Sequence, residues 1–147
     1  MTTSKIYPYI LVIFQMGSLF YYAISGPLLC DTISGILVEF AGIFLAIHAI
    51  YIVKIRNVNI APIVKHGSEL VTTGPYKYIR HPMYLAQIIA IIPLLIEYFT
   101  YFRFGVLIIL IMTLLLKIRY EEKQLLIHFP EYADYKKVSW KMLPYIY

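Results

Sequence analysis

Residues 6–30, IYPYILVIFQMGSLFYYAISGPLLC, decide the fold class, because no charged side chain stands between Lys5 and Asp31. A helix needs about 20 apolar residues to cross a hydrocarbon core, and this stretch is long enough. Pro8 falls where a first helical turn tolerates proline. The stretch is too long for the apolar part of a secretory leader, and no small-residue cleavage site follows it. Working outward, Glu39 is the only Asp, Glu, Lys or Arg from Thr32 to Val53, which predicts a second span. From Pro82 to Leu116 only Glu97 and Arg103 interrupt an apolar run. That run is too long for one ordinary helix, and Pro93 with the cluster from Glu97 to Arg103 marks a break. It therefore reads as a helical hairpin with arms at 82–98 and 100–118.

The expected fold is all-α: a polytopic membrane helical bundle of about four spans in a single domain. Residues 1–53 supply the first two spans, 54–81 a cytosolic loop, 82–118 the hairpin and 119–147 a cytosolic amphipathic tail. Composition agrees. Hydrophobic residues make up 61% of the 147 and charged residues 14%, whereas soluble domains are about half apolar and a quarter charged. With four spans, both termini and the long loop share one side, which then holds all of the 13 Lys and Arg residues but Arg103. The positive-inside rule places that side in the cytoplasm. The net charge of +5 thus belongs to a membrane surface and not to nucleic acid. Cys30 is expected at the opposite surface, within reach of a membrane-impermeant thiol reagent.

Several chemistries are excluded. No GxG pair occurs, so there is no soluble nucleotide-binding fingerprint. One cysteine excludes an internal disulfide and a Cys-based metal site. His48, His66, His81 and His128 show no metal-ligand spacing, and no Ser or Cys nucleophile motif is present. His48 and Glu39 lie within the second span on opposite faces, so they do not form a pair.

Two clusters remain. The first is Leu70-Val71-Thr72-Thr73-Gly74-Pro75-Tyr76-Lys77-Tyr78-Ile79-Arg80-His81-Pro82-Met83-Tyr84. Gly74-Pro75 signals a turn, His81 precedes a proline and so resists helix, and Pro82 suits a first helical position. Arg80 and His81 then sit beside a helix N-terminus, where an anion is favoured. The ordinary alternative is that Lys77, Arg80 and His81 anchor the helix to headgroups. The second cluster is Arg119-Tyr120-Glu121-Glu122-Lys123, whose carboxylates could hold an ammonium or sulfonium. The alternative is a surface pair of Lys117 with Glu121, both in water. On either reading the acidic pair is a surface feature whose loss leaves the fold intact. The tail aromatics, Phe129, Tyr132, Tyr135, Trp140, Tyr145 and Tyr147, suit a membrane interface.

Together these clusters resemble the signature of the isoprenylcysteine carboxyl methyltransferase family. The carrying residues are Leu70 to Tyr76, Arg80-His81-Pro82-Met83-Tyr84, then Glu121-Glu122, Leu125, Phe129, Glu131-Tyr132, Tyr135-Lys136-Lys137 and Leu143-Pro144. The resemblance covers residues 70–147. It implies a membrane-embedded enzyme using S-adenosylmethionine, with Leu70, Val71, Gly74, Tyr76, His81, Tyr84, Glu121 and Glu122 lining the cofactor site. It implies Arg80 and Lys141 as the catalytic candidates, with Arg80 organising the site or meeting a substrate carboxylate. The substrate would be a prenylated or other lipid-linked acid entering from the membrane. Ser68 replaces a family histidine, with His66 displaced, and Val138 replaces a family arginine, with Lys137 before it and Lys141 after.

Methyl transfer suits such residues. It is an in-line displacement, so alignment supplies most of the catalysis. A carboxylate acceptor is already ionised near neutral pH, with a reference pKa of about 4. An amine acceptor must first lose a proton to His81 or a Glu. The scarcity of bases leans toward a carboxylate. A phospholipid amine, or a non-catalytic protein that keeps the fold, stays open.

Overall fold

The computed structural model describes residues 6–53 and 69–144. The loop portion 54–68, with His66 and Ser68, and the ends, with Tyr145 and Tyr147, lie outside the described residues. The order of elements is α1 (Tyr7–Ile24), α2 (Ile33–Val53), a 3-10 turn (Gly74–Lys77), α3 (Pro82–Glu97), α4 (Tyr101–His128) and α5 (Tyr132–Val138). The fold is all-α, and the one β-type pairing among the described residues is an isolated bridge between Ile79 and Trp140.

Three helices, α1, α2 and α4, are long and apolar enough to cross a membrane. α3 has 16 residues and is about 24 Å long at helical rise, short of a hydrocarbon core of about 30 Å. Pro93 lies inside α3 without ending it. The break falls at 98–100, between the two expected arms, where Thr100 caps α4 by accepting the Arg103 N–H at 3.1 Å. The apolar part of α4, residues 101–118, accounts for about 27 Å, so residues 119–128 project beyond the hydrocarbon.

α2 packs chiefly on α3, and α1 on α4. The α2–α3 approach is close at Gly42, where a Cβ would lie 2.9 Å from the Ala86 carbonyl oxygen and from Ala90 N. Small residues at such contacts let helix backbones meet inside a membrane. The core gathers Tyr22, Ile91, Leu95, Leu107, Leu110 and Leu114. The outer faces carry exposed apolar side chains such as Ile13, Phe20, Phe44 and Ile47, which suit contact with lipid.

Two expectations are corrected here. Lys117 is not in water beside Glu121: it is 1% exposed and donates to Gln15 Oε1. The Gln15 amide in turn donates to Gln87 at 2.8 Å. A cation at that depth needs polar partners, and α1 and α3 supply them. Cys30 is likewise not a surface thiol, being 4% exposed. Its N–H is bound by Glu39 Oε2 at 3.1 Å, and the Cα of Gly35 faces its sulfur so closely that an added Cβ would stand 2.8 Å away. A membrane-impermeant maleimide should therefore leave Cys30 unmodified in the folded protein and modify it fully in SDS. Mass spectrometry reads both states, and rapid labelling without SDS would contradict the burial.

Candidate active site

The site starts from local backbone chemistry. Gly74 has φ +59°, in the left-handed region that costs glycine least, and opens the 3-10 turn. A Cβ there would also lie 2.9 Å from Ile52 Cγ1, so the turn seats against α2. His81, with φ −124° and ψ 57°, stays outside the helix that Pro82 begins. This leaves the backbone of 78–81 free to pair with the tail. Trp140 N–H donates to the Tyr78 carbonyl at 2.8 Å, Arg80 N–H to Trp140 at 2.8 Å, and His81 N–H to Lys141 at 3.0 Å. The tail is thereby folded back onto the α3 N-terminus.

Arg80 fastens this arrangement. Its Nε donates to Glu122 Oε1 at 2.8 Å. Its Nη1 reaches the Lys136 carbonyl at 3.3 Å and both the carbonyl and the hydroxyl of Ser139, the latter at 3.2 Å. Both side chains of the Arg80–Glu122 pair are more than nine-tenths buried. Lys136 Nζ stands 3.5 Å from the other Glu122 oxygen. Burial pushes the Glu122 carboxyl up, but the His81 ring and the Arg80 guanidinium outweigh it and hold the group down to about 2.

Glu121 is used differently. It is half-buried and accepts the Tyr84 hydroxyl at 3.0 Å. The His81 ring is buried between the two carboxylates, with Nδ1 3.6 Å from Glu121 and Nε2 3.6 Å from Glu122. Those separations exceed hydrogen-bond length. His81 stacks on Tyr84 with ring centroids 5.6 Å apart. On the tail side the Tyr135 hydroxyl donates to the Tyr76 carbonyl, and Tyr132 and Tyr135 are both buried. Burial, then the nearby carboxylates, raise the Tyr76 and Tyr132 hydroxyls, so both stay protonated.

Three buried polar atoms here have no hydrogen-bond partner: Tyr76 Oη, His81 Nε2 and Tyr132 Oη. Buried polar groups are nearly always satisfied, and exceptions ask for a reason. All three belong to residues beside Glu121 and Glu122. Among the described residues no group of His, Cys, Asp or Glu could hold a metal ion.

The structure thus brings Gly74, Tyr76, Arg80, His81, Tyr84, Glu121, Glu122 and the Lys141 backbone together. Leu70 and Val71 lie half-buried in the segment leading into the turn. The acidic pair is corrected: Glu122 is a buried ion-pair partner and only Glu121 keeps a surface-facing carboxylate. Tyr132 and Tyr135 are corrected too, since they face protein and not the membrane interface. Ser139, which holds Arg80, escaped the sequence reading, and Lys136, which stands beside Glu122, was read only as part of the tail motif and not as a site residue. The spacing of Tyr132, Tyr135 and Ser139, three and four residues apart, marks one helical face and was the available signal.

Residues 30–131 match the family model described as phospholipid methyltransferase. No curated protein and no solved structure matches the chain significantly. The matched segment runs from the start of α2 through the Arg80-His81-Pro82 corner and the acidic pair. That family belongs to the same membrane methyltransferase superfamily as the isoprenylcysteine carboxyl methyltransferases that the motifs resemble. The match spans more than two thirds of the chain, and on it this integral membrane protein belongs to the phospholipid methyltransferase family.

Proposed function

We propose that the chain transfers a methyl group from S-adenosylmethionine to the amine of a phospholipid headgroup, at a site on the cytoplasmic face. The carrying observation is the set of unpartnered buried atoms, Tyr76 Oη, His81 Nε2 and Tyr132 Oη, beside the acidic pair. These residues fit the cofactor: hydroxyls and an imidazole for its polar groups, and a half-exposed carboxylate for its cationic end. When bound, the cofactor supplies a methyl group on an electron-poor sulfonium.

The chain's own residues then have distinct tasks. Glu121, oriented by Tyr84, holds positive charge in the site. His81, buried between two carboxylates, is placed to take the proton that an ammonium headgroup must lose. Arg80 is proposed as a positioning residue, because its donors are directed to Glu122, Lys136 and Ser139. Lys141, whose carbonyl accepts the His81 N–H, would meet the phosphate of the acceptor. Leu70, Val71 and Gly74 would form the wall of the cofactor pocket. The domain is proposed as one unit, 1–147, with both termini and the loop on the cytoplasmic side, a reading that the distribution of basic residues supports.

The family match and the internal engagement of Arg80 favour an amine over a carboxylate. A prenylcysteine or other lipid-linked acid is the second reading, carried by the motif order of the tail. Purified protein given methyl-labelled S-adenosylmethionine with phosphatidylethanolamine and, separately, a prenylcysteine decides between them. Label is expected in the phospholipid. A base-labile ester on the prenylcysteine alone would establish the second reading. Absence of cofactor binding would overturn both.

A further inference from the structure

Far from the acidic cluster, at the N-terminal end of α4, lies a cleft of about 360 Å³ lined by Ser25, Gly26, Glu97, Tyr98, Thr100 and Arg103, among others. That volume falls at the small end of ordinary ligand pockets. Arg103 is 2% exposed, yet its Nε and Nη2 have no hydrogen-bond partner, and neither does the Ser25 hydroxyl. The guanidinium lies 5.0 Å from the Tyr22 ring and 5.8 Å from the Tyr98 ring, so aromatic faces offset part of its burial. Among the described residues no carboxylate pairs with it. Glu97 shares the cleft, but its oxygens accept the Asp31 and Thr32 N–H groups at 3.0 and 2.9 Å. Asp31 is engaged by the Tyr98 hydroxyl at 2.6 Å.

A buried guanidinium without an anion is costly, and within a membrane protein it marks a ligand or ion site. The positive end of the α4 dipole lies at the same place. Exposed Phe99, Tyr101 and Phe102 surround this end of the bundle, as aromatic side chains do at headgroup level.

We infer that Arg103 and Ser25 form a second site, which takes a phosphate-type anion carried by lipid headgroups of the leaflet opposite the catalytic face. It is separate from the acceptor site: Arg103 and Ser25 turn unpartnered donors to it, whereas the acidic cluster attracts cations. The anion completes the hydrogen bonding of Arg103 and pins the α1–α2 turn against α4.

The test uses the full chain delipidated in neutral detergent and then given phosphatidylglycerol, with native mass spectrometry counting retained lipid. Phosphatidylcholine discs with and without phosphatidylglycerol serve for a parallel melting experiment. Lipid held at the basic face is common to all variants, so the difference between proteins is the readout. Arg103→Gln should lower the affinity of the Arg103-dependent lipid roughly ten- to hundredfold, as expected for a lost charge-assisted hydrogen bond. It should also lose the added melting temperature that phosphatidylglycerol confers. If Arg103→Gln does not fold, Ser25→Ala and Arg103→Lys carry the comparison, each expected to retain less lipid than the parent. Displacement by inorganic phosphate would identify a free anion as a competent occupant. Retention unaffected by phosphate would identify the headgroup. Equal lipid retention and equal melting in the parent and every folded variant, with no protection by phosphate, would overturn the proposal.

Discussion

Replacing Arg80 by methionine will release the tail from the bundle and lower stability by about 3–5 kcal/mol, the cost of removing one member of a buried ion pair. The change strands Glu122, more than nine-tenths buried, and removes the donor that joins α4 to Lys136 and Ser139. Limited proteolysis after Lys136 or Lys137 should become fast while α1 to α4 stay intact. Thermal unfolding in detergent measures the stability loss. Arg80→Lys should fall between, because an ammonium cannot make the same forked set of bonds. A double-mutant cycle with Glu122→Gln should show coupling of about 0.5–3 kcal/mol. Acid probes the same pair. The Glu122 carboxyl is held well below its ordinary value of 4.5, so its contribution is complete above that value. It is lost as pH falls from there toward 2. If Arg80→Lys bound cofactor normally and lost only turnover, Arg80 would be a substrate clamp and the positioning role would fail.

Glu121→Gln carries the second large effect, on binding. The side chain keeps its size and its hydrogen bond from Tyr84, and loses only charge. Cofactor affinity should fall by about 1.5–3 kcal/mol, roughly ten- to hundredfold, measured by calorimetry or equilibrium dialysis. The melting temperature should hardly move, because Glu121 is half-buried and its contact with His81 is long, at 3.6 Å. Glu122→Gln should show the reverse pattern, a clear loss of stability first. A Glu121→Gln protein with unchanged cofactor affinity would remove Glu121 from the binding site.

Much of the fold was legible in the chain itself. The uncharged stretch 6–30, the second span with Glu39 alone, and the break before Arg103 are one-dimensional patterns, and lipid rewards them locally. The Gly74-Pro75 turn and the non-helical His81 before Pro82 were also legible, because proline and glycine act on their own backbone neighbours. What the sequence by itself determined was therefore the helices and the turn into α3, while α4 runs on to His128, past the expected end at 118. Only the tertiary structure decided how those residues are used. Glu121 and Glu122 are adjacent in sequence, yet helical geometry turns one toward the surface and the other into Arg80. Lys117 and Cys30 read as exposed because burial is set by partners distant in the chain, Gln15 for the first and Glu39 with Gly35 for the second. Arg103 read only as a charge on the far face. Its unsatisfied guanidinium exists because α1, the α3–α4 turn and α4 close around it, and no local pattern encodes that enclosure.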